Sequence, residues 1–373
     1  MMTMSASVSL AAQRLSGVVG LPLVLVLCGL SLTQPLGSDQ GLLVAVLVLC
    51  ALQGIFLCLG LVQAVVLVGL SLLAAWLALA PVAEMGGKLP ALGWAYGLQL
   101  VALALLAQLG LQRLAPYSER LPAGTVAGLF GLWLLYFWQL LVTLFAVPQV
   151  LLPTPAAIGA ALWDNAGLLA GDFVQTVLKS VLVGYVLGSG LGVLSGIAIE
   201  RFPFLQRGFL PLANLTSTIP LVGIAPIAVM WFGFDWPSKA AVIVLVTYFP
   251  ALVSTLAGLQ ASGKLEQELL HSYAASPRVT LLTLRLPAAL PFIFSALKVN
   301  ATLALISAIV AEYFGSPTAG LGFRISAEAA RMHMPIVWAA IVVASVVGSA
   351  LYALLVRLER RVTFWHPSIR GQG

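Results

Sequence analysis

The sequence predicts an all-α membrane protein that crosses the bilayer many times. Of its 373 residues, 61% are hydrophobic and only 8% are charged, whereas a soluble globular chain carries roughly 25% charged residues. The mean hydropathy is +1.06, and apolar runs of about 18 or more residues recur along the whole length. A membrane β-barrel would instead show short segments of alternating hydrophobicity. We therefore expect a polytopic helical protein surrounded by a lipid bilayer.

About ten apolar segments are long enough to be candidate spans. The first contains Gly17–Leu32 and follows Arg14, but no convincing cleavage site follows it, so we interpret it as a spanning helix and not as a signal peptide. The second and third segments are only weakly separated. The approximate spans are 16–33, 41–59, 61–81, 91–112, 124–147, 173–199, 208–232, 238–260, 289–312 and 336–357.

The Lys and Arg residues predict the orientation in the membrane. They fall at alternate ends of successive spans, and segment 148–172 contains none. Positive loops lie on the cytoplasmic side, so both termini and the 261–287 loop are predicted to be cytoplasmic. The net charge of +6 arises mostly from these short loops and does not indicate nucleic-acid binding. The cations on the predicted cytoplasmic side are Arg14, Arg113, Arg120, Arg201, Arg207, Lys264, Arg278, Arg285, Arg357, Arg360 and Arg361. Those on the other side are Lys88, Lys239, Arg324 and Arg331.

The chain divides into two predicted regions. Residues 1–115 hold about four spans with few polar side chains, and the segment LAPYSER at 114–120 is a plausible cytoplasmic linker. In residues 121–370 the loops become longer and richer in Pro, Gly and charge. Chemistry or contact with partners is therefore expected in the second region.

The chain shows no recognisable catalytic or nucleotide-binding site. Residues 258–264 read GLQASGK, which has the spacing of a phosphate-binding loop, but Leu265 stands where a Ser or Thr would hold Mg²⁺. The histidines are His271, His333 and His366, and they have no second ligand at metal-binding spacing. GSGLG at 188–192 lies inside a span, where small residues let helices approach closely. We expect no catalytic residue, no metal site and no cofactor bound by this chain.

The 261–287 loop contains an unusually polar stretch, ELLHSYAASPRVTLLTLRLP. Residues 264–276 predict a helix with Leu265, Leu269 and Leu270 on one side. Ser276 is a good N-cap and Pro277 suits the first helical position, so a second short helix is expected to begin there. Taken by itself, this composition is equally compatible with an amphipathic loop that lies on the bilayer surface.

The spacing in this loop resembles the EAA loop of ABC-importer permeases, E-A-A-x3-G-x9-I-x-L-P. Glu268, Leu286 and Pro287 match in type and offset, whereas Ala274 stands where the family has glycine. Leucines replace both alanines and the isoleucine, at positions 269, 270 and 284. Because the glycine is missing, we expect the bend to move to Ser276-Pro277.

Further segments, spread over residues 122–370, resemble the nitrate/sulfonate/taurine/riboflavin type of binding-protein-dependent permease. They occur in the family's order and cover about two-thirds of the chain. The segments are LLPTPAAIGAAL at 151–162, the Pro-rich stretch at 217–259, AEYFGSPTAGLGFRIS at 311–326 and VTFWHP at 362–367.

The resemblance implies a type I ABC-importer permease core of six helices, preceded here by about four extra N-terminal transmembrane helices. It implies a bacterial cytoplasmic (inner) membrane location and a second permease copy, commonly identical. It also implies cytoplasmic ATPase subunits that bind ATP and Mg²⁺, and an extracytoplasmic solute-binding protein that delivers substrate at the 148–172 and 313–335 faces. The role of the N-terminal region is not implied by the resemblance.

The resemblance also implies that the helices at 268–287 insert into a groove on the ATPase. They belong to the predicted cytoplasmic loop 261–287, here called the coupling loop. Leu269, Leu270 and Tyr273 are expected to fill that groove, and Glu268 and Arg278 to pair with the ATPase surface. The remaining residues of the expected coupling element are Ala274, Ser276, Pro277, Leu286 and Pro287.

Several residues of the second region are candidates for the translocation path. Prolines that interrupt spanning helices free backbone groups that can line a cavity, although they can also simply bend helices around their neighbours. An acid at membrane depth is a functional candidate or an interfacial cap, and Asn300 and Thr302 can bond either substrate or a partner helix. The candidates are Pro220, Pro226, Pro250, Asn300, Thr302, Glu312 and Tyr313.

The expected function is import of a small solute, and its identity stays open at this point. The sequence shows no cation in the middle of a core span, which favours a heterocyclic vitamin or precursor, such as riboflavin or a pyrimidine, over a sulfonate- or nitrate-like anion. A secondary transporter or channel that works without ATP is the alternative. It would need ionisable residues in the middle of the membrane, and the chain is poor in them. A membrane enzyme would need a polar catalytic cluster, which the sequence does not show.

Overall fold

A computed structural model of the chain describes residues 22–32, 38–56, 61–79, 89–122, 124–202, 204–205, 208, 220–315 and 319–365. Within these residues every regular element is a helix, so the prediction of an all-α protein is confirmed. Some predictions lie outside the described residues. They concern Arg14, Lys88, Arg207, the start of the first span, most of 208–219 and the last residues of VTFWHP.

Besides α-helices, the described residues contain a 3₁₀ turn, Ala115–Arg120, and two π-helical segments, Val174–Val181 and Leu281–Arg285. The α-helices are α1 (Pro22–Ser31), α2 (Ser38–Phe56), α3 (Leu61–Leu77), α4 (Leu89–Leu114), α5 (Thr125–Leu144), α6 (Pro155–Asp164), α7 (Ala166–Phe173), α8 (Leu182–Ile199), α9 (Leu221–Phe232), α10 (Trp236–Gln260), α11 (Lys264–Ser272), α12 (Pro277–Thr280), α13 (Leu286–Gly315), α14 (Leu321–Ala330) and α15 (Met334–Val362).

Six helical stretches of the described residues are long and apolar enough to cross a membrane, and four shorter apolar helices accompany them. Each of the ten predicted spans overlaps one of these stretches. The long ones are Ala95–Ser118, Thr125–Leu144, Ala166–Ile199, Trp236–Gln260, Pro277–Gly315 and Met334–Val362. The protein is therefore a multi-pass membrane protein.

The chain forms two compact units, Met1–Ala157 and Ile158–Gly373. In the first unit, α1 to α5 enclose an apolar core that contains Leu43, Leu47 and Leu103. The Tyr136 hydroxyl donates to the carbonyl of Ala75 at 2.7 Å and ties α5 to α3. The sequence predicts a boundary between its two regions near residues 115–121. This division into compact units does not test that boundary, which stays a prediction.

In the second unit, α8, α10 and α13 form the centre. Glycines on one face of α8 bring its backbone against α10: a Cβ added to Gly188 would lie 2.8 Å from the Cα of Val244, and one added to Gly192 would lie 2.8 Å from the Cβ of Ala251. This confirms that the GSGLG segment serves close helix packing. Gly258 does the same between α10 and α13, because an added Cβ would lie 2.9 Å from the Cα of Ala289.

Candidate functional site

The first helix of the coupling loop, α11, ends in a tight turn at Ala274. Ala274 has a φ of 53°. Its N–H donates to the carbonyl of His271 at 2.9 Å, and the N–H of Ala275 donates to the carbonyl of Leu270 at 3.0 Å. These two bonds form a Schellman motif, which usually carries glycine in the left-handed position. The expected move of the bend to Ser276-Pro277 is therefore wrong, because the bonded carbonyls of the last turn hold the left-handed residue at 274.

The second helix of the loop begins as predicted. The Ser276 hydroxyl accepts from the N–H of Val279 at 3.4 Å, and Pro277 occupies the first helical position. From Pro277 the helical stretch continues through the π segment and Leu286-Pro287 to Gly315. At about 1.5 Å per residue, a stretch of this length is roughly 55–60 Å long. One helical stretch therefore joins the coupling loop to the opposite end of the second unit.

The coupling loop presents apolar side chains that this chain does not bury. Leu265 is 80% exposed, Leu269 is 56% exposed and Tyr273 is 77% exposed. Leu270 is only partly exposed, and no residue of α11 is buried. Glu268 and Arg278 are exposed near them. The loop thus displays the apolar and charged residues that its sequence pattern singled out.

Arg285 ties the end of the coupling loop to two spanning helices. Its guanidinium lies 2.5 Å from the carboxylate of Glu200, at the end of α8, and its Nε donates to the carbonyl of Leu259, near the end of α10, at 3.2 Å. At the start of the loop, the Gln267 amide donates to the Ser262 hydroxyl at 2.8 Å. These bonds connect the coupling loop to the ends of α8 and α10.

At the other end of the second unit, side chains from two neighbouring helical stretches cap the N-terminus of α14. The first N–H groups of a helix have no partner within the helix, and here three of them find buried acceptors. The bonds run from Gly320 N–H to Asp172 Oδ1 at 2.8 Å, from Leu321 N–H to Thr176 Oγ1 at 2.8 Å, and from Gly322 N–H to Glu312 Oε2 at 2.9 Å. The Thr176 hydroxyl in turn donates to Glu312 Oε2 at 2.8 Å.

A chain of ion pairs extends this cap along α14. Arg324 Nε lies 2.8 Å from Asp172 Oδ2, and both side chains are nearly buried. Glu328, one turn further, lies 3.6 Å from Arg324 and 3.1 Å from Arg331. Removing one partner of a buried pair costs about 3–5 kcal/mol, so this network holds α14 firmly against α7 and the following π segment.

Glu312 is the centre of this cap. Its side chain is 1% exposed, and no described group bonds to its Oε1. The sequence left open whether this acid is a functional group or an interfacial cap. The structure shows that it is buried and caps a neighbouring helix. Next to it, Tyr313 is 46% exposed and its ring meets that of Phe314 edge-on at 5.1 Å.

The other path candidates occupy different environments. Pro220 is exposed just before α9, while α9 and α10 continue through Pro226 and Pro250, so the expected interruption of these two helices is not seen. Asn300 is buried, and its Nδ2 donates to the Ser189 hydroxyl at 3.0 Å and to the Thr247 carbonyl at 2.7 Å. Asn300 thus hydrogen-bonds to neighbouring helices of the same chain. This is one of the two roles that the sequence left open, the other being a bond to substrate.

Thr302 is exposed, and its hydroxyl bonds the carbonyl of Val299 in its own helix at 2.7 Å. Participation of all these residues in a translocation path stays a prediction.

Sequence reasoning missed the partners of Glu312. Asp172 and Thr176 stand four residues apart, a spacing that places them on one helical face, and this was the available signal. Their bonds to α14 join residues about 150 positions apart, a pairing that no local pattern reveals. In the described residues, no group of three or more His, Cys, Asp or Glu side chains is placed to hold a metal ion.

A family model described as "Binding-protein-dependent transport system inner membrane component" matches residues 188–364. This range contains the coupling loop, α13, α14 and all of α15. It also contains Glu312, Arg324 and Glu328. Asp172 and Thr176, which complete the cap on α14, lie outside the match.

Three curated relatives are similar to this chain over about three-fifths of its length. A probable ABC transporter permease protein of Haemophilus influenzae is 33% identical over 219 residues, which are 59% of this chain and 89% of the relative. The formylaminopyrimidine transport permease protein ThiX of Halalkalibacterium halodurans is 31% identical, with 64% of this chain and 94% of the relative covered. The riboflavin transport system permease protein RibX of Chloroflexus aurantiacus is 29% identical, with 63% and 88% covered.

The similarity spans almost the whole length of these relatives, and the range matched by the family model holds the exposed coupling loop and the long helical stretch that follows it. The chain belongs to the family of binding-protein-dependent transport system inner membrane components and is a permease subunit of the ABC-transporter type.

Proposed function

We propose that this permease pairs with a second copy of itself and forms the path by which a small neutral heterocycle, such as a vitamin or its precursor, enters a bacterial cell. Cytoplasmic ATPase subunits bind ATP and Mg²⁺ and dock on the coupling loop. An extracytoplasmic solute-binding protein delivers the substrate. Both termini are cytoplasmic in this arrangement.

The observation that carries the proposal is the exposed apolar surface of the coupling loop. Leu265 and Leu269 lie on α11, between two spanning stretches, and Tyr273 directly follows this helix. Each of the three residues is more than half exposed. Burial of such side chains against a partner contributes about 1.5–3 kcal/mol each before the costs of association. An apolar groove on a cytoplasmic ATPase subunit would bury these side chains.

The contacts of Arg285 support a mechanical role for the loop. Closure of two ATPase subunits would displace α11 and α12, and the bonds from Arg285 to Glu200 and to the Leu259 carbonyl would move α8 and α10 with them. The long helical stretch to Gly315 carries the same displacement toward the cap on α14. This linkage offers one physical route from ATP hydrolysis to the membrane path.

Two cations in the spans of the second unit support a neutral substrate, because both are already bonded. Lys298 pairs with Glu359 at 2.8 Å, and Lys239 donates to the carbonyl of Gly315 at 2.8 Å. Such bonded groups are poor receptors for a free anion. The names of two relatives, which refer to formylaminopyrimidine and riboflavin, agree with a heterocyclic substrate.

One observation favours a second candidate, a sulfonate- or nitrate-like anion. Lys179 is exposed on the π segment within the span Ala166–Ile199. An ammonium group at the edge of a path would attract an anion. Replacement of Lys179 by Gln therefore discriminates between the two substrate classes: it should leave uptake of a heterocycle unchanged and reduce uptake of an anion severalfold.

Co-purification and uptake test the proposed function. The wild-type permease is expected to retain a stoichiometric ATPase subunit, and vesicles containing the complex should accumulate substrate only with ATP and the binding protein. Leu269→Asp should release the ATPase, whereas the control Leu194→Ala, at a residue 64% exposed within a span, should retain it. Uptake that persists without ATP hydrolysis would support the alternative of a secondary transporter or channel.

A further inference from the structure

The span Ala166–Ile199 is interrupted by the segment Val174–Val181, which we call the α7–α8 π segment. At its end the N–H of Leu182 donates to the carbonyl of Val177, five residues back. Such helices are rare, usually consist of a single turn and are frequent at functional sites. Because the five-residue bond accommodates one residue more than an α-helical bond, conversion of the segment to α-helix would rotate α7 against α8 by about 100° and shift it by about 1.5 Å.

The side of α8 cannot take up such a rotation. A Cβ added to Gly184 would lie 2.7 Å from the Cβ of Ile243, so the backbone of α8 is already packed against α10 at this point. The Tyr185 hydroxyl donates to the carbonyl of Leu297 on α13 at 3.1 Å. Any change in the π segment must therefore turn α7 and leave α8 in place.

Few apolar contacts hold α7. Of its eight residues, all of which the structure describes, only Leu169 and Asp172 are buried. Leu169 packs in a cluster that contains Leu321 and two alanines, Ala339 and Ala340. Rotation of α7 would therefore disturb one large apolar side chain, which is a small cost compared with the rotation of a fully buried helix.

The π form is instead held by polar contacts with three other helices. Asp172 and Thr176 accept the first N–H groups of α14, and the Thr176 hydroxyl donates to Glu312 on α13 at 2.8 Å. The Gln175 amide donates to Oδ1 of Asp235 at 2.8 Å. Asp235 in turn caps the start of α10. Two of these donors and acceptors, Gln175 and Thr176, lie in the π segment itself.

The segment thus has two competing preferences. Its backbone alone favours the common α form, whereas the bonds to α10, α13 and α14 require the register of the π form. Glu312 lies near the end of the helical stretch that begins at the coupling loop, Pro277–Gly315. A displacement of α13 that separates Glu312 from Thr176 would weaken the bonds that favour the π form. A segment with two arrangements of similar free energy is the kind of element that a conformational switch requires.

We propose that the α7–α8 π segment is a conformational switch of the transport cycle. It is π-helical while α14 is capped, and it converts to α-helix when ATP-driven movement of α13 weakens the cap. The rotation of α7 then withdraws Asp172 and Thr176 from α14 and frees this helix to move. The inference rests on the proposed function for its ATP-driven trigger and goes beyond it by assigning a moving part outside the coupling loop.

Distances between spin labels test the switch in the permease–ATPase complex in nanodiscs. After replacement of the native cysteines, labels at Leu168→Cys on α7 and Ala330→Cys on α14 report the rotation, and both positions are exposed. Their distance should change when a hydrolysis-deficient ATPase subunit traps ATP. The control pair, Leu194→Cys on α8 and Ala257→Cys on α10, is also exposed and belongs to two closely packed helices. Its distance should stay the same.

Two variants test the switch without ATP. Deletion of Leu178, which is 46% exposed, removes the additional residue of the π form and should produce the second distance in the absence of nucleotide. Thr176→Val removes the hydroxyl that bonds α13 and α14, and it should raise the fraction of molecules with the second distance by about fivefold or more. Thr176→Ser keeps the hydroxyl and should retain the wild-type distribution.

The possible results separate the switch from the function on which its trigger rests. An unchanged distance in the Thr176→Val variant would overturn the switch, and this variant decides the question if the deletion variant does not fold. Equal changes at both label pairs would indicate a rigid-body movement of the whole unit and would overturn it as well. If the wild-type permease retains no ATPase, the proposed function fails, while the variants measured without ATP still decide whether α7 rotates.

Discussion

At the scale of single residues, three non-glycine residues within the described part of the chain lie in left-handed turns at helix ends. Ala146, Ala274 and Met332 have φ values of 47°, 53° and 62°. Each follows a helix whose last carbonyls accept the two bonds of a Schellman motif. The bonds satisfy groups that would otherwise be orphaned, which explains how an unfavourable conformation persists at all three positions.

The turn at Ala274 yields a prediction about coupling. The left-handed conformation costs a non-glycine residue roughly 1–2 kcal/mol, while glycine loses about 0.5–1 kcal/mol more conformational freedom on folding. Ala274→Gly should therefore stabilise the loop slightly and preserve coupling. Pro277→Ala should weaken coupling more, because it loosens the start of the second helix. ATP hydrolysis stimulated by the loaded binding protein measures both, and the reverse order would contradict this account of the bend.

Glu312 yields a second prediction at this scale. Glu312→Ala removes the acceptor for the Gly322 N–H and the Thr176 hydroxyl, and each buried group left unsatisfied costs about 1–3 kcal/mol. The thermal midpoint of the purified permease should fall clearly. Thr302→Ala is the control, because its exposed hydroxyl bonds only its own helix in the described contacts, and it should change stability by less than about 0.5 kcal/mol.

A double-mutant cycle tests whether Glu312 acts through this cap. Combined with Thr176→Ala, Glu312→Ala should destabilise the protein by less than the sum of the two single effects, because both remove the same bond. Strictly additive effects would show that the two side chains do not depend on each other.

At the scale of the helix, the centre of the second unit depends on close contact between α8 and α10. Glycines at positions 184, 188, 192 and 196 lie one turn apart on α8 and face α10. Lipid provides no hydrophobic driving force between helices, so packing and polar contacts must hold them together. Asn300 supplies a polar contact, since it reaches both Ser189 on α8 and Thr247 on α10.

This interface predicts opposite outcomes for two neighbouring glycines. Gly192→Ala would place a methyl group 2.8 Å from the Cβ of Ala251 and should lower the free energy of unfolding by about 1–3 kcal/mol, the usual cost of overpacking. Gly190→Ala meets no atom within 4 Å and should be neutral or slightly stabilising. Thermal unfolding in detergent compares the two variants. Equal stability would mean that α8 and α10 are not packed as closely as described.

At the scale of the whole molecule, the second unit has two structurally distinct ends joined by the stretch Pro277–Gly315. One end carries the exposed coupling loop, and the other carries the buried cap on α14. The pattern of Lys and Arg predicts that the coupling loop faces the cytoplasm. The first unit has its own apolar core and encloses several more spans.

Cysteine labelling tests this orientation. After replacement of the native cysteines, Tyr273→Cys should react with a membrane-impermeant thiol reagent only in inverted vesicles. Trp163→Cys, at a residue that is 84% exposed, should react only in right-side-out vesicles. Labelling of both sites from the same side would contradict the predicted topology.

The positions of most helices could be predicted from the sequence, because the signals for a membrane helix lie in adjacent residues. An apolar run long enough to cross a bilayer has almost no alternative to a helix, and Ser276-Pro277 is a local signal for a helix start. The prediction of a bend at Ser276-Pro277 was wrong because an alanine at position 274 gives no sequence signal for a left-handed turn. Its position depends on the carbonyls of the preceding helix, which accept bonds only once that helix has formed.

By itself, then, the sequence determined the class of the protein, the approximate positions of its spans and the two-helix form of the coupling loop. Each of these follows from the hydrophobicity or capping of adjacent residues. Only the tertiary structure decided that Glu312, Asp172 and Thr176 cap α14, that Arg285 ties the loop to α8 and α10, and that the α7–α8 π segment bonds to the start of α10. These features join helices far apart in the chain, and the pairing of buried polar groups is settled when the helices pack against one another.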